Sequence, residues 1–285
     1  MGSINQKSIY YIAKKEFMDN IRNKWIILLT TLLFLLVIVF AYLAYVQPEQ
    51  PGNSMDMTQS TAVGLMGISS MLIPLIAIIL GFSTISGEAE SGSFSVVLSY
   101  PVTRLEVLLG KFLGLGSVIV TAVLIGFGFA GVIITAAAGG DSWLGYIVFM
   151  GLTILLGLIF LSLSICISAL CKKRITSIGG GLIIFFWSTI IGSVFMGILY
   201  GSGYSFDNLM TGNMPDWFWC ESFFSPADLS QAAVMRGFGM NEINSMGFSA
   251  TLPDFLNIWS ALFVDLLWLI IPLVLAYFFF KRRDI

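Results

Sequence analysis

Six long apolar runs constrain the fold of this chain more than any other feature of its sequence. Each is near or above the ~20 residues that a membrane-spanning helix needs. Only 11% of the residues are charged and 57% are hydrophobic, whereas soluble domains carry roughly 25% charged residues. We therefore predict an all-α integral membrane protein, a single transmembrane domain over residues 1–285. Its six spans are expected at 25–46, 63–83, 107–137, 146–170, 176–200 and 258–280.

The basic residues orient these spans. Of the 14 Lys and Arg residues, all except Arg236 fall on one side of a six-span arrangement. The positive-inside rule makes that side cytoplasmic. We predict a protein of the cell membrane with both termini, the connection 84–106 and the turn 171–175 in the cytoplasm. The loops 47–62, 138–145 and 201–257 are then extracytoplasmic.

The N-terminal segment 4–24 has the periodicity of an amphipathic helix. Ile9, Ala13, Phe17 and Ile21 recur every fourth residue, and lysines lie among them. This pattern predicts a helix in the cytoplasmic membrane interface before the first span. The alternative is an ordinary basic flank that fixes topology.

The connection 84–106 is unusually polar for a link between two spans. It carries Glu88 and Glu90, then a glycine-serine break and Pro101. Thr103 with Glu106 three residues later has the spacing of a capping box at the start of the third span. We interpret the segment as a helical elbow at the membrane face, where another protein could push.

The loop 201–257 is too long for a simple turn. It is rich in aromatic residues, and the stretch from Pro226 to Arg236 predicts a short amphipathic helix. The aromatic residues fit a belt at the membrane surface. A cap over a substrate exit is the functional alternative.

Few polar or small residues stand out inside the spans. Asp265 is the only carboxylate well inside a predicted span, so it either contributes to a translocation path or lies nearer the outer surface than the predicted boundary suggests. Gly110 with Gly114, and Gly197 with Gly201, have the four-residue spacing that permits close helix contact.

Several functions are excluded or made improbable by what the sequence lacks. Histidine is absent, and the three cysteines do not form a metal-spaced cluster; we expect no bound metal and no catalytic residues. A phosphate loop is missing, since Phe112 follows Lys111 where Ser or Thr is required. No basic stripe suggests nucleic-acid binding. If the chain transports a substrate uphill, the energy is expected from another subunit.

Three stretches resemble the membrane subunit of ABC exporters of the second permease class, especially the branch with the permease of the nitrous-oxide-reductase maturation system. The first runs from Ala13 to Trp25 and includes Glu16 and Arg22. The second extends from Ser86 to Gly114, and the third from Phe224 to Asp228. The resemblance covers the whole chain together with its six spans and cytoplasmic ends.

The resemblance implies a non-catalytic permease that forms the translocation path as a dimer, paired with an identical or similar permease. Two separate ATPase subunits would bind ATP and Mg²⁺ and drive it. It also implies that the elbow contains the coupling helix, with Glu88, Glu90, Ser93, Phe94, Pro101 and Arg104 as coupling residues, while Glu16 and Arg22 belong to the N-terminal helix. A static membrane scaffold and an ion-coupled carrier that uses Asp265 are the alternatives.

Overall fold

The computed structural model is a bundle of long helices. It describes residues 5–46, 57–92, 102–138, 143–205, 208, 214–240, 242–245 and 248–283. The helices before the third span are α1 (Gln6–Ile21), α2 (Lys24–Val46), α3 (Met57–Gly81) and the short α4 (Ser86–Glu90). Those that follow are α5 (Arg104–Ala138), α6 (Trp143–Leu170), α7 (Arg174–Phe185) and α8 (Trp187–Gly201).

The segment before the last helix has structure of its own. A 3₁₀-helix (Asp216–Cys220) leads into α9 (Glu221–Phe224) and α10 (Pro226–Gly237). Strands β1 (Glu242–Ser245) and β2 (Phe248–Thr251) then pair antiparallel, and α11 (Ile258–Arg282) ends the chain. The hairpin departs from the all-helical prediction. Only two residues separate its strands, which is the commonest hairpin spacing.

Four of the described helical segments are long and apolar enough to cross a membrane, and two bent pairs raise the number to six. One pair is α7 with α8, bent by 43°, which covers the predicted fifth span. The other joins Gln6–Ile21 to Ile26–Phe40 at 68°. A helical membrane protein with four to six candidate spans is therefore confirmed. The interfacial position of α1 stays a prediction.

Helix α6 is the centre of the bundle. It packs against α3, α5, α7, α10 and α11, as expected of a helix that is apolar around its whole circumference. Gly157 of α6 lets α3 and α5 approach closely, because a Cβ there would lie 2.6 Å from the Ile119 side chain and 2.9 Å from that of Ile73. Phe127 and Phe149 meet edge to face in the buried core between α5 and α6.

Candidate functional site: the elbow junction

A buried lysine joins three helices beside the elbow. Lys111 of α5 is only 3% exposed, and its Nζ donates to Glu16 Oε1 of α1 at 2.8 Å and to Glu88 Oε1 of α4 at 2.7 Å. A buried ammonium without a carboxylate partner is costly, so the two acids make this position of Lys111 possible. We call the contacts of residues 84–92 and 102–111 with their neighbouring helices the elbow junction.

Two glycines bring α1 against α5. A Cβ at Gly110 would lie 2.7 Å from the Ile12 side chain, and one at Gly114 would lie 2.5 Å from Ala13 O and 2.7 Å from Glu16 Cβ. Any larger side chain would push α1 away, so the predicted role of this glycine pair in close helix contact is confirmed. In contrast, a Cβ added at Gly197 or Gly201 would meet no atom of another described element within 4 Å.

The predicted capping box at the start of α5 is confirmed. Thr103 N donates to Glu106 Oε2 at 2.8 Å, and Glu106 N donates to Thr103 Oγ1 at 3.3 Å. Glu106 is 2% exposed, and its second oxygen accepts from Asn5 N at 2.6 Å. The same carboxylate therefore caps α5 and holds the start of α1, which a capping box alone does not require.

Serines fix the beginning of the elbow to α6 and α7. Ser168 Oγ of α6 accepts from the backbone N–H groups of Ile85 and Ser86, both at 3.0 Å. Ser177 Oγ of α7 donates to Phe82 O at 2.5 Å. These hydroxyls satisfy backbone groups between α3 and α4, where the chain leaves regular helical geometry.

The second acid of the elbow contacts the start of α7. Glu90 Oε2 accepts from Arg174 N at 2.7 Å, which places a carboxylate at a helix N-terminus, where the helix dipole favours negative charge. The Arg174 guanidinium lies 5.3 Å from the centre of the Phe82 ring. Glu90 therefore ties α4 to α7 as Glu88 ties it to α5.

Arg104 reaches the opposite side of the junction and contacts the end of α11. Its Nη1 donates to Phe280 O at 2.6 Å, to Arg283 O at 2.8 Å and to Lys281 O at 2.9 Å. Arg283 in turn donates to Ser168 O at 3.4 Å. Carbonyls at and just beyond the end of α11, where helical carbonyls need partners from outside the regular ladder, thus bind a side chain of the elbow.

A polar cavity of about 770 Å³ opens beside the Lys111 contacts. It lies between α1, the end of α3, α4, α5 and the start of α7, and it combines charged groups with an apolar wall. Its lining includes Glu16, Glu88, Glu90, Arg174, Ile175 and Ile178. The elbow junction therefore has an accessible surface on which a partner can act.

The comparisons with known proteins agree with this helical membrane architecture. The sequence profile described as "ABC-2 family transporter protein" matches residues 10–285. The chain belongs to the ABC-2 transporter family. It is 31% identical over 283 residues to the probable ABC transporter permease protein NosY of Pseudomonas aeruginosa, covering 97% of this chain and 99% of that protein. The probable NosY of Stutzerimonas stutzeri is 30% identical over 285 residues, with coverage of 96% and 98%.

These matches confirm the predicted resemblance, and they confirm the interpretation as a membrane permease subunit of an ABC transporter. In this ABC-2 transporter, four of the predicted site residues meet at the elbow junction: Glu16, Glu88, Glu90 and Arg104. Arg22 follows the end of α1 and is exposed. Ser93, Phe94 and Pro101 lie outside the described residues.

The sequence analysis missed the central residue of this junction, Lys111. Its position within an apolar run was a usable signal, since a lysine on a buried helix face needs an anionic partner. No comparable indication of the contacts of Ser168 and Ser177 is present in the sequence, because each hydroxyl bonds to backbone groups that are far away in the chain. Within the described residues, no group of three or more acidic or cysteine side chains could hold a metal ion.

We call the described residues of the loop predicted to be extracytoplasmic (201–205, 208, 214–240, 242–245 and 248–257) the outer segment. Its helix α10 packs onto the bundle of this ABC-2 transporter. The predicted helix after Pro226 is confirmed as α10, with Ser225 as its N-cap, and it contacts α6 and α11. Trp187 Nε1 of α8 donates to Phe224 O at 2.8 Å. Burial and the nearby Asp228 carboxylate raise the pKa of Glu221 to about 7, and burial raises the pKa of Asp228 as well.

Asp265 lies on α11 beneath α10 and is fully buried. It faces Ser230 of α10, but within the described part of the chain neither its two carboxyl oxygens nor Ser230 Oγ has a hydrogen-bond partner that meets the geometric limits. Asp265 does not line the cavity at the elbow junction. Its contribution to a translocation path stays a prediction.

Proposed function

We propose that two permease copies form the translocation path of an exporter and that separate ATPase subunits drive it by docking on the elbow junction. One observation supports this above all. The short helix α4 is linked by Glu88 to α5, by Glu90 to α7, and by the preceding backbone at Ile85 and Ser86 to α6. Lys111 extends the link to α1. A force on α4 therefore acts on four helices at once.

The distribution of charge supports docking from the cytoplasm. Arg104, Lys111, Arg174 and Arg283 all lie at the same end of the bundle, beside the elbow. The positive-inside rule assigns that end, with both termini, to the cytoplasmic side of the cell membrane. ATP and Mg²⁺ are then bound by the two ATPase subunits, and this chain is non-catalytic and binds no cofactor of its own.

The proposed pairing of two permeases is supported by the family resemblance and not by a contact within one chain. The similarity to the probable permeases named NosY extends over nearly the whole length of both chains. The second permease is an identical or similar chain. Site-directed crosslinking in native membranes tests this, since a dimer gives a product of twice the mass of the 31.2 kDa chain.

Copurification with the ATPase tests the function. The permease carries a tag and is purified from the membranes of its native host, which supplies the ATPase subunit. We expect the ATPase to be retained and its hydrolysis rate to depend on the permease. The double variant Glu88→Ala/Glu90→Ala should weaken that dependence, because it releases α4 from α5 and α7. Asp216→Ala is the matched control, because Asp216 is an exposed acid of the outer segment.

Two results contradict the proposal. One is a wild-type permease that never retains an ATPase subunit under conditions in which the membrane protein is intact. The other is an ATP hydrolysis rate that is the same with the wild-type permease and with the double variant. That result would show that Glu88 and Glu90 are not needed for coupling. Transport by the purified chain alone in liposomes, lost in Asp265→Asn, would support the ion-coupled carrier instead.

A further inference from the structure

The contacts of Arg104 differ from those expected of a docking residue. Its Nη1 donates within its own chain to the carbonyls of Phe280 and Lys281 in the last turn of α11 and to that of Arg283 just beyond it. Its carbon Cζ lies 5.6 Å from the centre of the Phe280 ring. The C-terminal carbonyls of a helix carry the negative end of its dipole, so a cation there is favourable. Arg104 joins the first turn of α5 directly to the last turn of α11.

A second set of contacts strengthens this attachment. Arg283, one residue beyond α11, donates to Ser168 O at 3.4 Å and to Lys172 O at 3.3 Å, at the end of α6. The hydroxyl of the same Ser168 accepts from the backbone of Ile85 and Ser86 before α4. The described parts of the elbow on either side of residues 93–101 therefore both contact the cytoplasmic end of the α6–α11 pair.

The other half of α11 has polar contacts with the outer segment. Trp268 Nε1 donates to Phe223 O of α9 at 3.0 Å, and Asp265 faces Ser230 of α10. The helix has 25 residues; at about 1.5 Å per residue it is roughly 37 Å long. One continuous helix thus connects the elbow junction to the two helices that cover the outer side of the bundle.

We propose that Arg104 is a positioning residue that makes α11 follow the elbow, so that movement driven by the ATPase reaches α9 and α10 through the last span. This inference rests on the proposed function and adds α11 to the elements that transmit the movement. An elbow that shifts must either carry the end of α11 with it or break the charge-assisted hydrogen bonds of Arg104 Nη1, whose two N–H groups are shared among three carbonyls. Pro272 removes one backbone hydrogen bond within α11, but the helix continues through it from Ile258 to Arg282. A shift at its cytoplasmic end is therefore expected to change the contacts of Trp268 and Asp265 in its other half.

Spin labels on the outer side provide the test. Ser202 follows α8 and Asp254 precedes α11, and both are exposed; Ser202→Cys with Asp254→Cys is built in a chain whose three native cysteines are replaced. The labelled permease is reconstituted with its ATPase subunits. The distance between the labels is measured by pulsed electron paramagnetic resonance without nucleotide and with ATP and vanadate. We expect a nucleotide-dependent shift in the parent protein.

Arg104→Ala should reduce this shift to less than about a third while the ATPase subunits remain bound. Arg104→Lys should keep at least half of it, since an ammonium can still donate to the carbonyls of α11. Arg282→Ala is the matched control, because Arg282 is an exposed cation at the same helix end, and it should leave the shift unchanged. If Arg104→Ala does not fold, Arg104→Gln replaces it and should also lose most of the shift.

Three outcomes overturn the inference. A full shift in Arg104→Ala, or in Arg104→Gln where that variant is used, shows that α11 does not depend on this side chain. Loss of ATPase binding in Arg104→Ala places Arg104 in the docking interface instead. A parent protein that binds no ATPase contradicts the proposed function itself, and this failure is distinguishable because it occurs without any substitution at Arg104.

Discussion

Replacing Lys111 with methionine tests the physical basis of the elbow junction. The side chains are of similar length, so Lys111→Met removes the ammonium with little change in volume. Glu16 and Glu88 then lose a shared partner that each contacts through Oε1, at 2.8 and 2.7 Å. Since both oxygens bond to the same atom, they are at most about 5.5 Å apart. The variant leaves two facing carboxylates with no cation between them.

The magnitude follows from this separation and from the exposure of the two acids. Two unit charges about 5.5 Å apart repel by roughly 3 kcal/mol at an effective dielectric constant of about 20. The side chains of Glu16 and Glu88 are 13% and 27% exposed, so screening by solvent reduces the repulsion between them to about half of that value. Loss of the hydrogen bonds to the ammonium adds about 1–3 kcal/mol. We expect Lys111→Met to lower the free energy of unfolding by about 2–4 kcal/mol.

Thermal unfolding of the purified protein, followed by tryptophan fluorescence, measures this change. A loss of about 2–4 kcal/mol corresponds to a fall in Tm of roughly 5–12 °C on the scale of soluble domains. Lys15→Met is the matched control, since Lys15 is exposed on α1, and it should cost less than about 0.5 kcal/mol. Adding Glu16→Gln and Glu88→Gln to Lys111→Met should recover at least half of the loss.

The recovery decides whether the reasoning is correct. If the triple variant is no more stable than Lys111→Met alone, repulsion between the carboxylates is not the cause of the loss. If Lys111→Met is as stable as Lys15→Met, the ammonium contributes nothing to holding α1, α4 and α5 together. Either result refutes the account of the elbow junction as a charge-linked contact of three helices.

Three further predictions use other parts of the chain. Gly114→Leu should destabilise the protein by about 1–3 kcal/mol or more, because it forces α1 from α5. Gly128→Leu on the same helix should be nearly neutral in thermal unfolding, because a Cβ there would meet no atom of another described element within 4 Å. Asp265→Asn should leave Tm unchanged or raise it, because the buried carboxyl has no hydrogen-bond partner among the described residues; a clear fall in Tm contradicts this. The raised pKa of Glu221, about 7 against 4.5, means that its ionisation opposes folding: stability should fall as pH rises from about 4.5 to 7, and Glu221→Gln should reduce that fall in melts at several pH values.

The long helices could be predicted from the sequence because their signal is local. Apolar runs of sufficient length specify a helix whatever their neighbours are. For α2, α3, α5, α6 and α11, most of the predicted ends lie within a few residues of the observed ones. The capping box at Thr103 and the helix after Pro226 are local as well. The fifth span differs, since its bend between α7 and α8 occurs without proline, and α8 is held to the outer segment by Trp187.

The contacts within the elbow junction could not be derived in the same way. Lys111 binds carboxylates 95 and 23 residues away, and a sequence with 16 acidic residues does not indicate which two they are. Arg104 is the clearer case. Its acceptors are backbone carbonyls at and just beyond the end of α11, which have no signature in the sequence. The coupling role that the resemblance implies for Arg104 stays a prediction.

The contacts in the middle of the bundle differ in kind from those at the elbow junction, and this difference bears on how movement would pass along the helices. Between the elbow junction and the outer segment, the helices meet mainly through apolar side chains such as Ile73, Ile119 and Phe149, whose packing has no strong directional preference. At the elbow junction, Lys111 and Arg104 hold their partners through charge-assisted hydrogen bonds, which require a defined geometry. On the proposed function, a displacement of the elbow would exchange these directional bonds, whereas the apolar contacts would let the helices slide against one another. We therefore expect substitutions of Lys111 and Arg104 to affect coupling more than substitutions of similar size among the apolar contacts, which ATPase assays of the purified complex would measure.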